Sequence, residues 1–214
     1  MALMPITPHI DDLDNFLSHC HRKSYPNRTT IIYEGDKCDT LYYIIKGSVS
    51  VILEEDEGKE VVITYFYPGD FFGEMGLFEK AEERSAWCRT RSVCEVAEIS
   101  YANFYTYISS HPEIVFTIGQ QIAHRLRNTT RKVGDLAFYD VSGRIARTLI
   151  NLSKEPDAMT HPNGMQIKIT RQEIGRLVNC SREMAGRVLK TLEEQHLISV
   201  SGKTIVVFGA RAKL

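Results

Sequence analysis

Four glycines, Gly35, Gly47, Gly58 and Gly69, stand 12, 11 and 11 residues apart, and a β-branched or aromatic run fills each gap. The runs in the gaps are TLYYIIKG, SVSVILE and EVVITYF, with TTIIYE just before Gly35 and CEVAEIS following further on. A chain that turns back every eleven or twelve residues has no room for long helices. It pairs its strands antiparallel and closes into an all-β barrel or roll. Ser48-Val49-Ser50-Val51 alternates as a half-buried strand does, and Pro68-Gly69-Asp70 is a turn. The β region is expected from about Arg28 to Ser100.

From about Pro112 to Leu136 the period changes to that of a helix. Val115, Gly119, Ile122, Leu126, Thr129, Val133 and Leu136 follow at intervals of 4, 3, 4, 3, 4 and 3. This is a heptad seam, which suits either a coiled-coil dimer or a helix laid on its own barrel. At about 1.5 Å per residue such a helix outreaches a small roll, which favours the dimer. Thr129 puts a hydroxyl in the seam. Its partner is either the helix backbone or a ligand held there. Phe138 to Gly143 breaks the pattern and reads as a hinge. A second helix is expected from Gly143 to about Ser153, then an exposed polar loop, KEPDAMTHPNG.

Residues 170–192 carry a second signature. Thr170 and Glu173 form a capping box that starts a helix. Gly175 and a polar turn at Asn179 are expected to end it, and Ser181 is placed to cap the next. Two short helices with a tight turn make a helix-turn-helix. On the second, with Arg182 at zero and about 100° per residue, Lys190, Glu183 and Arg187 fall at about 80°, 100° and 140°. Ala185, Val188, Leu192 and Leu189 fall on the opposite arc. Arginine can take guanine by two hydrogen bonds, and a carboxylate can accept from cytosine N4. Arg171, Ser181, Arg182, Glu183, Arg187 and Lys190 are therefore the candidate DNA contacts. The following HLISVSGKTIVVFG reads as a hairpin wing, with Lys203 placed to reach a phosphate.

Charge agrees with this division. The net charge of −1 hides about +5 from Phe138 onward and −6 before it. An expected domain of residues 1–137 is thus acidic, and one of residues 138–214 is basic. The five cysteines form no CxxC pair, which supports neither a disulfide framework nor a zinc site, so reduced and mostly buried thiols are expected. In His19-Cys20-His21 adjacent residues of a strand would point to opposite faces, and no further ligand cluster is visible, so no metal is expected. No apolar run approaches a membrane span, and the N-terminus lacks the pattern of a signal peptide, so a cytoplasmic location is the default. No P-loop, GxSxG or metal motif supports an enzyme.

One loop remains, FFGEMGLFEKAEERSA, residues 71–86. It holds two glycines, an acid, a guanidinium and a hydroxyl. Alone it reads either as a site for a small sugar phosphate or as a solvated turn with a surface salt bridge. The chain resembles, over nearly its whole length, the bacterial cyclic-AMP receptor proteins, the catabolite activators of the Crp/Fnr family, including their virulence-regulator branch. FFGEMGLFE, ERSAW, CEVAEISY, KVGDLAF, PDAMTHPNGMQIKITRQEIG and CSRE carry the likeness. The resemblance implies an α+β chain with an N-terminal cyclic-nucleotide-binding β-roll, a long dimerisation helix and a C-terminal winged helix-turn-helix. It implies that Gly73 offers a backbone N–H, Glu74 accepts from the ribose hydroxyl, Arg84 pairs with the cyclic phosphate, and Ser85 donates to it. Met75 and Gly76 belong to the same cassette, and Thr64 lies on a strand lining the pocket. Thr129 resembles the helix residue that contacts the adenine amino group, and Thr130 the residue contributed across the dimer.

The implied function is a cAMP-dependent homodimeric regulator that binds a palindromic operator in double-stranded DNA and recruits RNA polymerase, with cAMP as allosteric ligand and no cofactor. Alternatives on the same scaffold are a response to cGMP, a redox or gas cofactor, or DNA binding without ligand. Departures from the family pattern are Met75, Met184, Ala185, Ser201 and Asn103. The last replaces a lysine in a polymerase-contacting patch where His21 and Lys23 keep positive character; Thr160 matches the other such region.

Overall fold

The computed structural model describes residues 10, 12–55, 58–79 and 82–211. The N-terminal stretch on which the signal-peptide reading rests lies largely outside them. The first elements are α1 (Leu13–Ser18), β1 (His21–Tyr25), β2 (Thr30–Ile32), β3 (Thr40–Lys46), β4 (Val49–Glu54), β5 (Glu60–Phe66), β6 (Phe71–Phe72), α2 (Met75–Phe78), β7 (Trp87–Thr90), β8 (Cys94–Ser100), α3 (Tyr101–Ile108) and α4 (Glu113–Phe138). After them come α5 (Val141–Leu152), β9 (Met159–His161), β10 (Gly164–Lys168), α6 (Arg171–Val178), α7 (Arg182–Glu194), β11 (Ile198–Ser201) and β12 (Thr204–Phe208).

The roll is made of two four-stranded sheets, β1-β8-β3-β6 and β2-β7-β4-β5. All five expected runs form strands, and Gly35, Gly47, Gly58 and Gly69 each take the positive φ that their turns require. Three strands were not foreseen. β1 precedes the expected start, β6 is two residues long, and β7 is short. Strand alternation explains the packing. Leu41, Tyr43, Ala97, Ile99 and Phe71 face a core shared with Phe16, Phe104, Ile114 and Ile118 of the helices. Ile44, Val96 and Phe72 point the other way, into a core with Ile32, Val49 and Phe66. Phe16, edge-on to Tyr43, Phe71 and Tyr107, has no exposed surface. Burying such a ring is worth roughly 1.5–3 kcal/mol.

α4 buries Ile114, Ile118 and Gln121. The heptad seam lies about 85° round the same helix from that stripe, at about 100° per residue. Val115 and Ile122, early in the seam, are half-buried against the roll core, whereas Leu126, Val133 and Leu136 are exposed. The early part of the seam packs on its own roll while the later part is exposed, because the two stripes adjoin.

The chain divides into two compact units, one reaching Gly58 and resuming at Ile63–Thr129, the other combining Lys59–Val62 with Thr130–Leu214. The division falls inside α4, which is continuous to Phe138. The expected hinge is shorter than the sequence suggested. α5 already starts at Val141, because the Asp140 carboxylate caps it by accepting from the Gly143 amide at 2.8 Å. Only Tyr139 and Asp140 stay outside helix. The loop expected after α5 is also partly ordered. Met159–His161 pairs with β10, and the sheet runs β11-β12-β10-β9. Its core joins Ile145, Leu149, Ile167, Ile174, Leu189 and Ile205.

Candidate nucleotide site and DNA-contacting face

Arg84 is 7% exposed although it sits in a loop. Its main chain is tied at both ends: its amide donates to Asp36 O at 2.8 Å, and its carbonyl accepts from the Gly35 amide at 2.9 Å. Its guanidinium then turns inward. Nη1 donates to Gly73 O at 2.9 Å and to the Tyr101 hydroxyl at 3.3 Å, and Nη2 donates to Thr40 O at 2.6 Å. Tyr42 and Tyr101 hold its charge over their rings at 5.7 and 5.9 Å. A guanidinium has five N–H groups. Among the described residues three are used, so the Nε–H and one Nη2–H have no partner there and could meet a ligand. Neutral carbonyls and a hydroxyl hold the group in place by its hydrogen bonds, which suits it to bind a phosphate anion.

Gly73 adopts φ +73°, and a Cβ built on it would lie 2.8 Å from Arg84 Nη1 and 3.1 Å from Thr40 O. Glycine is required at this position for both reasons. Glu74 follows, 7% exposed, and its Oε1 accepts from Arg125 Nη1 at 2.9 Å. Its other carboxylate oxygen is the one available to a sugar hydroxyl. Arg125 comes from α4. It also donates to Phe71 O and to Gln121 Oε1, and its guanidinium stacks 4.0 Å from the Phe66 ring. Gln121 in turn accepts from the Phe71 amide at 2.8 Å and donates to Gly69 O at 2.9 Å. α4 is thereby fastened to the backbone on which Gly73 and Glu74 sit.

The structure thus brings Gly73, Glu74, Gly76 and Arg84 together, with Ser85 exposed beside Arg84. Met75 is 42% exposed, and Thr64 is half-buried on β5 with its hydroxyl 3.4 Å from Tyr65 O. Thr129 and Thr130 are exposed on α4, and among the described residues the Thr129 hydroxyl makes no bond to its own helix backbone. Arg125, Gln121 and Tyr101 were not singled out from sequence. The repeat Ile114, Ile118, Gln121, Arg125, at spacings of 4, 3 and 4, was the available signal for the first two. Nothing local marked Tyr101.

Burial pushes the Cys88 thiol up to about 12 and also raises Cys94 and Cys180. Two of the five, Cys88 and Cys94, are buried and the rest are half-buried. Among the described residues no three His, Cys, Asp or Glu side chains gather as a metal-holding group, and no helix is long and apolar enough to cross a membrane.

In the second unit, Thr170 caps α6 by accepting from the Glu173 amide at 3.1 Å. Gly175 does not end this helix. It lies within it, buried, where a Cβ would stand 2.5 Å from Cys180 O, and its carbonyl accepts from the Cys180 amide at 2.9 Å. The missing side chain lets the turn fold back across the helix, and Asn179, at φ +54°, does the ending. Ser181 then caps α7 by accepting from the Met184 amide at 3.1 Å. Ala185, Val188, Leu189 and Leu192 are the buried residues of α7, all from the apolar arc. Arg171, Arg182, Glu183, Gly186, Arg187 and Lys190 line an open cleft of about 520 Å³. Arg171 lies over Gly186, its Cδ 3.5 Å from where a Cβ would stand, an ordinary contact. Lys203 is exposed at the tip of the β11–β12 hairpin.

Residues 22–111 match the cyclic nucleotide-binding domain family, and residues 143–213 match the Crp-like helix-turn-helix domain family. The chain is 62% identical to the cAMP-activated global transcriptional regulator Vfr of Pseudomonas aeruginosa, over 99% of this chain and 100% of that one. It is 59% identical to the cAMP-activated global transcriptional regulator CRP of Pasteurella multocida, over 97% and 100%. Among solved structures it superposes with a TM-score of 0.85 and 51% identity on the c-di-GMP responsive global regulator CLP of Xanthomonas campestris, covering 92% of this chain and 98% of that one. With both matched domains in place and a relative 62% identical along its length, the chain belongs to the CRP family of DNA-binding transcription regulators, not to an enzyme family.

Proposed function

We propose that this regulator binds cAMP through Arg84, Ser85, Gly73 and Glu74, and that the ligand governs operator binding by a homodimer. The observation that carries the reading is Arg84: buried, anchored by neutral acceptors, with two N–H groups still to be used. A cyclic phosphate supplies two exocyclic oxygens for them. Glu74 stands one residue from Gly73 and suits the ribose hydroxyl, since a carboxylate beside the phosphate would repel it. Exposed Leu126, Val133 and Leu136 on α4 form the dimer seam, and Thr129 and Thr130 reach the adenine from it. The domain boundary is placed at residues 137/138, beside the Tyr139-Asp140 break. In the cytoplasm the dimer would meet RNA polymerase through the exposed His21, Lys23 and Thr160.

Calorimetric titration with cAMP, cGMP and cyclic di-GMP tests this. The cyclic di-GMP arm answers to the response named for the Xanthomonas relative. Wild type should bind cAMP most tightly, and Arg84→Ala should lose it while keeping its folded circular dichroism spectrum. Unchanged cAMP affinity in that variant would refute the phosphate role.

A further inference from the structure

Tyr101 opens α3, directly after β8, and is 8% exposed. Its amide donates to Asp39 O at 2.8 Å, which fixes the start of the helix against the loop before β3. Its hydroxyl has one proton and two lone pairs. The proton goes to Gly73 O at 2.5 Å. One lone pair accepts from Arg84 Nη1 at 3.3 Å. The Cys38 thiol, with Sγ at 3.2 Å, is placed to fill the other. Every capacity of the oxygen is therefore engaged, and two of its three partners belong to the cassette. Burial holds this hydroxyl above its ordinary range, so it stays a donor at any physiological pH. Gly76 permits the packing, since a Cβ there would stand 2.6 Å from Cys38 Sγ and 2.9 Å from the Tyr101 ring.

We propose that Tyr101 is the positioning residue of the nucleotide site: backed by Cys38, its hydroxyl ties Arg84 Nη1 to Gly73 O and so sets which edge of the guanidinium meets the phosphate. The inference rests on the reading that Arg84 pairs with a cyclic phosphate. Without the hydroxyl, Arg84 keeps its charge and its bonds to Gly73 O and Thr40 O but loses the partner of its second Nη1–H, so the plane of the guanidinium is less tightly set. The two exocyclic phosphate oxygens then become less distinguishable to it.

The test uses the two phosphorothioate diastereomers of cAMP, each with sulfur in place of one exocyclic oxygen, and reads binding by the fluorescence of Trp87, the single tryptophan, two residues beyond Ser85. Wild type should discriminate between the diastereomers. Tyr101→Phe should weaken cAMP about five- to twentyfold and move the diastereomer ratio towards one. Cys38→Ala should shift both in the same direction by about two- to threefold. A ratio is independent of the folded fraction, so partial unfolding of a variant does not mask the result. A ratio unchanged by Tyr101→Phe, or near one already in wild type, overturns the inference. If Arg84→Ala also leaves cAMP affinity intact, the phosphate reading itself has failed. If only the Tyr101 arm is silent, that reading survives and the positioning role does not.

Discussion

At the scale of single residues, the nucleotide cassette works by removing side chains as much as by supplying them. Gly73 is bare because its neighbour space belongs to the Arg84 guanidinium and the Thr40 carbonyl, and because its φ lies in the left-handed region. Gly73→Ala should destabilise the roll by about 1–3 kcal/mol and weaken cAMP in parallel, as read by thermal melts and calorimetry on the same samples. Arg125 belongs to the same economy. Its side chain is 16% exposed and it is the partner of the buried Glu74 carboxylate. Arg125→Met leaves that carboxylate unpaired, with an expected loss of about 3–5 kcal/mol in denaturant titration; a loss below about 1 kcal/mol would show that Glu74 is solvated after all. The sequence exposed Gly73, Glu74, Arg84 and Ser85 as a group because they lie within thirteen residues of one another. It hid Tyr101, Gln121 and Arg125, whose roles come from contacts between positions 28 to 54 residues apart.

At the scale of elements, the two helices with the clearest periodicity do different work. α7 is amphipathic, and its angular pattern transferred directly into burial, since one face packs on α6 and the other lines an open cationic cleft. Arg187→Ala should cost about 1–3 kcal/mol on the preferred operator and relax the choice of base at one position. Competition between operators differing at single bases measures this, and an equal loss on every sequence would mark Arg187 as a phosphate contact. α4 was harder to read, because the seven-residue repeat and the stripe through Ile114, Ile118 and Gln121 share one helix. Periodicity finds both but does not say which meets the roll. Leu126→Asp combined with Val133→Asp should leave a folded monomer in sedimentation equilibrium; a persistent dimer would locate the seam elsewhere. The break between α4 and α5 falls within the expected hinge but is narrower, for a local reason. Asp140 caps α5, and a capped helix can begin immediately after the previous one stops.

At the scale of the whole molecule, an acidic roll and a basic helix-turn-helix share one chain, and α4 carries Arg125, beside Glu74, and Thr129 on a single continuous helix. A ligand shifts an equilibrium only by its differential affinity for the states involved. A ligand held by both the cassette and α4 would supply such a difference, and a coupling of typical size would change operator affinity about 10- to 100-fold. The fold class and the division of labour were legible because turn spacing, heptads and caps are local signals. The coupling is not local, and only binding can reveal it. The most direct measurement is operator affinity by fluorescence anisotropy at fixed salt, for wild type and Arg84→Ala, with and without saturating cAMP. Wild type should tighten with cAMP by about the factor above, and Arg84→Ala should stay at the ligand-free value in both conditions. Equal operator affinity of wild type with and without the nucleotide would contradict the claim that Arg84 links ligand to DNA.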